Sequence, residues 1–521
     1  MPVKSLVKPS EYHDSVSLMA VAQELAHLPG VIDAAVVMAT EANKGILRQA
    51  GLLTPEADAA SPNDLVIAVN AETGLLEHAI AEADKLLRRK SAASDTIEFR
   101  PRTVRSAIKA NPAANLAVVS VAGRYAADEA WEALHKGLHV LLFSDNVSLQ
   151  DEIALKKYAI DHGLLLMGPG AGTAIINGVA LGFADALPKG PVGIVSAAGT
   201  GLQEVSTLLA RHAVGITQGI GTGGRDVKDE VGGMMMLAGL RALQADPDTQ
   251  VILLISKPPG KDVARNTLEQ AAMSGKPTVV CFLGARDISA VHKPAGVWIV
   301  PTLQEAALQA ARLGGAQLPE IAEILSEEEQ WLAERAAMLR KQLQPGQRYL
   351  RGLFSGGTLC YEAQVIWREA LSEPVFSNAP LDKENQLPDS TRSQGHTAVD
   401  LGEEEFTVGR PHPMIDNSLR IRRLLQEAGD PEVAVILLDV VLGFGAHPDP
   451  AAELAPAVLK ARNLATQSGR GLIVVASVTG TEEDPQRLSR QVQTLEQAGV
   501  VVCPSNATAS RLVTRIVSSH E

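Results

Sequence analysis

The sequence predicts three α/β domains in tandem, the first a doubly wound parallel-sheet domain and the other two copies of one strand–turn–helix unit. Three observations carry this. Gly193–Thr200 (GIVSAAGT), followed by Glu204, recurs as Gly352–Thr358 (GLFSGGT), followed by Glu362. The echo continues in the same order. Asp246-Pro247 ahead of Val251–Leu254 returns as Asp430-Pro431 ahead of Val435–Leu438, and Gly296–Pro301 (GVWIVP) returns as Gly499–Pro504 (GVVVCP). Upstream of the first copy, short apolar runs alternate with segments of helical spacing, the pattern of βαβ units.

In chain order, Val31–Met38, Asp64–Val69, Leu116–Val121, His139–Phe143 and Gly163–Met167 read as buried parallel strands, and Leu75–Arg89, Ala126–Leu134 and Leu149–Asp161 as the helices between them. Residues 1–188 are assigned to this first domain. It lacks the G-x-G-x-x-G dinucleotide fingerprint, and its last strand runs into the turn Gly168–Thr173, at a strand end where open α/β sheets bind ligands. Residues 190–320 form the first copy of the repeat, 321–345 a charged helical linker, and 346–521 the second copy. The second copy is longer between Gly352 and Asp430, and the extra length is placed at Asn378–Pro411, a polar, turn-rich stretch expected to be a functional loop or an interface.

The chain of 521 residues carries 47 basic and 60 acidic side chains, a net charge of −13, which argues against a general nucleic-acid or anionic-membrane binder. Cys281, Cys360 and Cys503 are too scattered for a disulfide framework or metal knuckle, and no metal-ligand spacing stands out among the histidines. With no signal peptide or membrane-length apolar run visible, the expectation is a cytoplasmic enzyme in a reducing compartment, working on a small molecule as a homo- or hetero-oligomer with other subunits.

The duplicated turns offer small residues, hydroxyls and amides at a helix N-terminus, a geometry that suits anions. The candidate phosphate or substrate ligands are Ser196, Gly199 and Thr200 in one copy and Ser355, Gly356, Gly357 and Thr358 in the other. Glu204 and Glu362, one turn further on, are candidates to orient the nucleophile. Gly219–Asp226 (GIGTGGRD) is a second glycine-rich loop, where Gly221, Gly223 and Gly224 flank Arg225, a candidate clamp for a substrate carboxylate. In Gly409–Asp416 (GRPHPMID), His412 is held between two prolines and reads either as an acid/base group or as a structural turn histidine, with Asp416 as a further substrate contact. Asp439 and His447, on a strand-to-loop edge, read equally as functional or structural.

These residues resemble a family. The order of the domains, GIVSxxGTxxxE, and the segments Ser144–Val147, Met167–Asn177, Gly219–Asp226, Ile255–Pro259, Arg351–Cys360 and Gly409–Asp416 are similar to the succinyl-CoA ligase α-subunit (NDP-forming acyl-CoA synthetase) superfamily, within it to the FdrA branch. The resemblance spans nearly the whole chain. It implies a Rossmann-like CoA-binding-type domain followed by two flavodoxin-like, succinyl-CoA synthetase-like ligase-CoA domains. For the FdrA branch it implies a subunit of an oxamate carbamoyltransferase in purine and allantoin breakdown, interconverting oxalurate plus phosphate with oxamate plus carbamoyl phosphate. No resident cofactor follows. Phosphate or carbamoyl phosphate is the expected substrate, with CoA or a nucleotide as the alternative.

Two departures shape the expected chemistry. The superfamily's phosphorylated histidine lies in a Gly-His-Ala-Gly segment. Here Cys281–Gly284 is followed by ARDISAVHKP, where His292 has no such context. Gly170-Ala171 stands where FdrA relatives read Asp-Cys. With the phosphoenzyme route removed, direct carbamoyl transfer to phosphate is the expected reaction, the paired turns holding phosphate or the developing oxyanion and His412 moving the proton. An acyl-CoA synthetase subunit working with a nucleotide-binding partner is the alternative, and a non-catalytic scaffold subunit the third.

Overall fold

The computed structural model describes residues 2–518 except 12–17, 19–20, 23, 26–27, 73, 93–100, 274, 286–293 and 408–409, so His292 and Gly409 lie outside the described residues. The chain divides into two compact units, residues 1–100 with 404–411, and 101–403 with 412–521.

In the first unit β1 (Val3–Lys8), β2 (Val31–Met38) and β3 (Leu65–Ala71) form one sheet in the order β1-β3-β2, both pairings antiparallel. Helix α1 (Leu76–Ala92) packs on it through Leu76, Ala79, Ile80, Ala83 and Leu87. This corrects the expectation of five parallel strands in residues 1–188. Val31–Met38 and Asp64–Val69 are apolar enough for a parallel core, but hydrophobicity alone does not report direction, and the edge strand β1 carries Lys4 and Lys8 within its short run.

The parallel sheet begins in the second unit, with β4 (Leu116–Val119), β5 (His139–Leu142) and β6 (Leu166–Met167) in that order and helix α2 (Leu149–Asp161) between the last two. Hairpin β7 (Thr173–Ile176) and β8 (Val179–Gly182) then joins the next sheet. That sheet contains β9 (Lys189–Ser196), β10 (Ile216–Gly221), β11 (Val251–Ser256), β12 (Thr278–Phe282) and β13 (Val297–Ile299), in the order β13-β12-β11-β9-β10-β7-β8. Helices α3 (Gly199–Arg211), α4 (Met234–Ala245) and α5 (Leu303–Leu313) belong to this copy, and α6 (Ile321–Arg340) leads into the next.

The second copy contains β14 (Tyr349–Phe354), α7 (Gly357–Ala370), β15 (Val375–Ser377), β16 (His396–Asp400), α8 (Ser418–Ala428), β17 (Val433–Val441), α9 (Pro450–Gln467), β18 (Ile473–Thr479), α10 (Leu488–Gln497), β19 (Val501–Cys503) and α11 (Asn506–Val517). Its sheet order, β15-β16-β14-β17-β18-β19, repeats the β10-β9-β11-β12-β13 order of the first copy with β15 added. The central strands are continuous apolar runs because both faces are covered: all nine residues of β17 and all six of β11 are buried. The supposed loop Asn378–Pro411 contains β16, a wholly buried strand paired in parallel with β14 from Arg351↔Thr397 to Phe354↔Asp400. Its sequence, His-Thr-Ala-Val-Asp, hides a core strand behind polar ends. Among the described residues no helix is long and apolar enough to cross a membrane.

Candidate functional site

The two duplicated turns meet. The Thr358 amide donates to the Thr200 hydroxyl at 3.2 Å, and a Cβ on Gly201 would lie 3.0 Å from the Thr358 methyl. Helices α3 and α7 therefore start against each other, two positive dipole ends brought together, an arrangement that attracts negative charge. Part of that charge is internal. Asp439, fully buried on β17, accepts from the Ser355 and Gly356 amides, both at 2.7 Å, and from the Ser355 hydroxyl at 3.0 Å, and it pairs with Arg420 at 2.8 Å. Burial pushes its carboxyl pKa up, while Arg420 and the amides pull it down. The Ser355 and Gly356 amides, expected to face a ligand, are thus already taken. The Ser196 hydroxyl likewise turns back on Ala198, donating to its carbonyl at 2.8 Å. What stays open is narrower than the sequence suggested: among the described residues, the amides of Gly199, Thr200 and Gly357 have no hydrogen-bond partner.

Next to Gly357 stand two groups that sequence reasoning did not assign. A Cβ at Gly357 would lie 2.5 Å from Asp400 Oδ2 and 3.8 Å from Lys257 Nζ. Only glycine fits there. Burial lifts Asp400 to a pKa of about 7, against the opposing pull of Lys257. His412 completes the group: a Cβ at Gly402 would meet His412 Nε2 at 2.8 Å, the Ser355 carbonyl at 3.0 Å and Asp400 Oδ1 at 3.1 Å. His412 Nδ1 accepts from the Met414 amide at 3.3 Å, so the neutral ring carries its proton on Nε2. Burial, helped by the Arg420 charge, pushes its pKa down to about 4, and it is a neutral donor at physiological pH. Lys257 follows β11 and Asp400 ends β16. Both sit at the carboxyl ends of parallel strands, where ligands of open α/β sheets bind, and that position was the available signal for them.

The other expected site residues lie elsewhere. Glu204 and Glu362 do not orient a nucleophile. Glu204 accepts from the Asn506 amide at 2.9 Å and from the Thr479 hydroxyl, and Glu362 accepts from the Leu303 amide at 2.7 Å and from Asn506 Nδ2 at 2.8 Å. Each carboxylate caps a helix of the opposite copy, α11 and α5 respectively, so the two copies are clasped reciprocally. Burial raises Glu362 to about 7. Arg225 is not a free clamp: it pairs with the buried Glu152 at 2.9 Å and donates to the Val147 carbonyl at 2.7 Å. Behind it, Lys156, Glu152 and Asp226 form a fully buried ion cluster. Gly221 and Gly223 are needed for close packing, since a Cβ would lie 2.1 Å from the Thr173 carbonyl and 2.3 Å from that of Pro169; Gly224 is open. Asp416 accepts from the Ser418 amide at 2.8 Å and holds the start of α8. His447 pairs with Glu453 at 3.2 Å.

Comparison with known proteins places the molecule. Over an alignment of 522 positions that covers 100% of both chains, the sequence is 45% identical to the uncharacterized protein YahF of Escherichia coli (strain K12). The chain belongs to the YahF family. Residues 353–516 match the CoA-ligase domain and residues 1–101 the AllF heavy metal-associated domain. More distant relatives are the ADP-forming sulfoacetate-CoA ligase subunit SauD of Bilophila wadsworthia (strain 3_1_6), 28% identical over 35% of this chain and 64% of that one, and the succinate–CoA ligase [ADP-forming] subunit alpha of Aquifex aeolicus (strain VF5), 29% identical over 30% and 51%. The chain thus spans between half and two thirds of the length of these ligase subunits.

The residues of the N-terminal domain do not fit a soft metal ion. Residues 1–101 contain no cysteine, and no group of three or more His, Cys, Asp or Glu that could hold a metal occurs among the described residues. Where carboxylates do gather, at Asp84 and Glu11, the Lys8 ammonium occupies the cationic position.

Proposed function

We propose that this chain is the acyl-transfer subunit of a CoA-ligase-type enzyme, in which the abutting starts of α3 and α7 hold the phosphate of an acyl phosphate. The observation that carries the reading is the pair of facing helix N-termini with open amides on Gly199, Thr200 and Gly357, the last of them beside Lys257 and Asp400. The thiol of CoA attacks the acyl carbon, the C–S bond forms, the C–O bond to phosphorus breaks, and phosphate leaves. The helix termini and Lys257 neutralise the charge that grows on the departing phosphate. Asp400, with its pKa near the working pH, takes the thiol proton, and His412 donates from Nε2 to the polarised oxygen. A separate nucleotide-handling subunit makes the acyl phosphate.

Carbamoyl transfer is the second reading, favoured by the absence of a Gly-His-Ala-Gly segment after Gly284. Carbamoyl phosphate is also a mixed anhydride, and the same cradle suits it. One experiment separates the readings: the chain, alone and with its partner subunits, is given acyl phosphates with CoA, or carbamoyl phosphate with oxamate, and phosphate release is followed. CoA-dependent release, reduced about 100-fold or more by Lys257→Met, is expected. Release that ignores CoA but needs oxamate assigns carbamoyl transfer, and no turnover in any combination leaves a scaffold subunit.

The pH dependence follows from Asp400. Its ionised form is the base, so turnover rises with pH through an inflection near its pKa of about 7. In Asp400→Asn that inflection disappears and the residual rate is flat across the same range. A profile unchanged by the substitution removes Asp400 from the proton path.

A further inference from the structure

A second cleft lies at the other end of the C-terminal sheet, away from the strand ends that carry Asp400 and Ser355. Its volume is about 540 Å³, and its walls come from α6, the C-terminal half of α9, and the amino ends of β18 and β19. The floor is apolar, with Leu339, Val474 and Val500. The walls carry Trp331, Arg335 and Arg462, with one carboxylate, Glu496. A cleft of this size, in which an apolar floor meets charged walls, has the dimensions of a small-molecule site.

Two features show that the cations are placed rather than incidental. Arg335 has a buried Nε with no hydrogen-bond partner, and among the described residues no carboxylate pairs with its guanidinium. A bound anion would supply the acceptor that the buried Nε lacks. Arg462 donates to the carbonyls of Ala498 and Gly499, both at 3.2 Å, and lies directly over Gly499, where a Cβ would be 1.6 Å from Nη1. Gly499 has φ of +80°, so this seat for Arg462 depends on glycine twice over. At the matching position of the first copy, Gly296 has the same left-handed backbone but nothing within 4 Å of its Cβ position. The seat is therefore a feature of the second copy alone, not of the repeat. In a chain with a net charge of −13, two arginines against the single carboxylate of Glu496 leave a local excess of positive charge in this cleft.

Trp331 supplies the other half of the recognition. It stands one helical turn before Arg335 on the same face of α6, and its side chain is 40% exposed, the largest exposed aromatic on that helix. A half-exposed indole over an apolar floor suits a flat ring.

We infer that this cleft binds an aromatic phosphate of mononucleotide size, the ring against Trp331 and the phosphate on Arg335 and Arg462, at a site separate from the acyl-transfer centre. Adenosine 5′-monophosphate and phenyl phosphate are the probes, with inorganic phosphate as the control that lacks a ring. Full-length chain is titrated with each, followed by calorimetry and by tryptophan fluorescence. Saturable binding of both aromatic phosphates is expected, tighter than inorganic phosphate, weakened about tenfold or more in Arg335→Met and in Gly499→Ala, and unchanged in Lys257→Met. The fluorescence change disappears in Trp331→Phe, while the calorimetric signal of phosphate persists. Absence of saturable binding by either aromatic phosphate overturns the inference. So does an affinity that Arg335→Met and Gly499→Ala leave intact, or one that Lys257→Met abolishes, since the last would place the ligand at the catalytic cradle.

Discussion

Replacing Asp439 by alanine lowers the unfolding free energy of the chain by about 3–5 kcal/mol, the cost of breaking a buried ion pair from one side. Four groups lose their partner at once. Arg420 is left as a buried cation, the Ser355 and Gly356 amides lose an acceptor, and the Ser355 hydroxyl loses its anchor. The start of α7 keeps the bond from the Thr358 amide to Thr200 but loses its acidic anchor, so phosphate release falls below detection as well. Asp439→Asn separates the two effects. It keeps the shape and one acceptor oxygen but removes the negative charge between the helix starts, so it costs less stability than alanine while activity is still lost. Urea denaturation followed by circular dichroism, beside the turnover assay, reads both. An alanine variant as stable as the parent contradicts the role given to Asp439.

The second large effect concerns the clasp between the copies. Glu204→Ala and Glu362→Ala are each expected to cost about 1–3 kcal/mol, the usual penalty for leaving buried donors unsatisfied. Both glutamates hold Asn506, one through its amide and the other through its side chain. Once the first contact is lost α11 shifts and the second is worth less, so the double variant falls short of the sum, with a coupling of at least about 0.5 kcal/mol. The pH dependence has a definite sign. Glu362 is raised from 4.5 to about 7 in the folded chain, so the folded state holds a proton that the unfolded state releases. Its contribution is therefore fully present at low pH and is lost as pH rises from about 4.5 to about 7, by up to roughly 3 kcal/mol. Glu362→Gln, fixed in the neutral form, lacks that slope. Parallel unfolding curves for parent and glutamine variant across this window would remove the titration from Glu362.

Much of this arrangement could be read from the chain itself, and the reasons for the rest are physical. Repeated motifs report repeated folds, so Gly193–Thr200 and Gly352–Thr358 located the two helix starts that the structure brings together. The same repetition misled on Glu204 and Glu362. A carboxylate at one offset in both copies looks catalytic, yet a pair of copies facing each other requires matching braces, and symmetry alone does not distinguish the two. The pairing of Ser355 and Gly356 with Asp439 spans more than eighty residues of sequence, and no local pattern encodes it. Asp400 was hidden because β16 is short and opens on a histidine and a threonine. Lys257 was in view, within Ile255–Pro259, but only its three-dimensional neighbour Gly357 shows where it sits. In the N-terminal region, Val31–Met38 and Asp64–Val69 were both legible as strands and their antiparallel pairing was not, because direction is set by connections rather than by hydrophobicity.

The central claim is that an oxyanion sits where α3 and α7 begin. A crystal of the full chain soaked in phosphate tests it directly. The account predicts phosphate density within hydrogen-bond distance of the Gly199, Thr200 and Gly357 amides and of Lys257 Nζ. Density found only elsewhere, with those amides and Lys257 turned onto protein atoms, would contradict it.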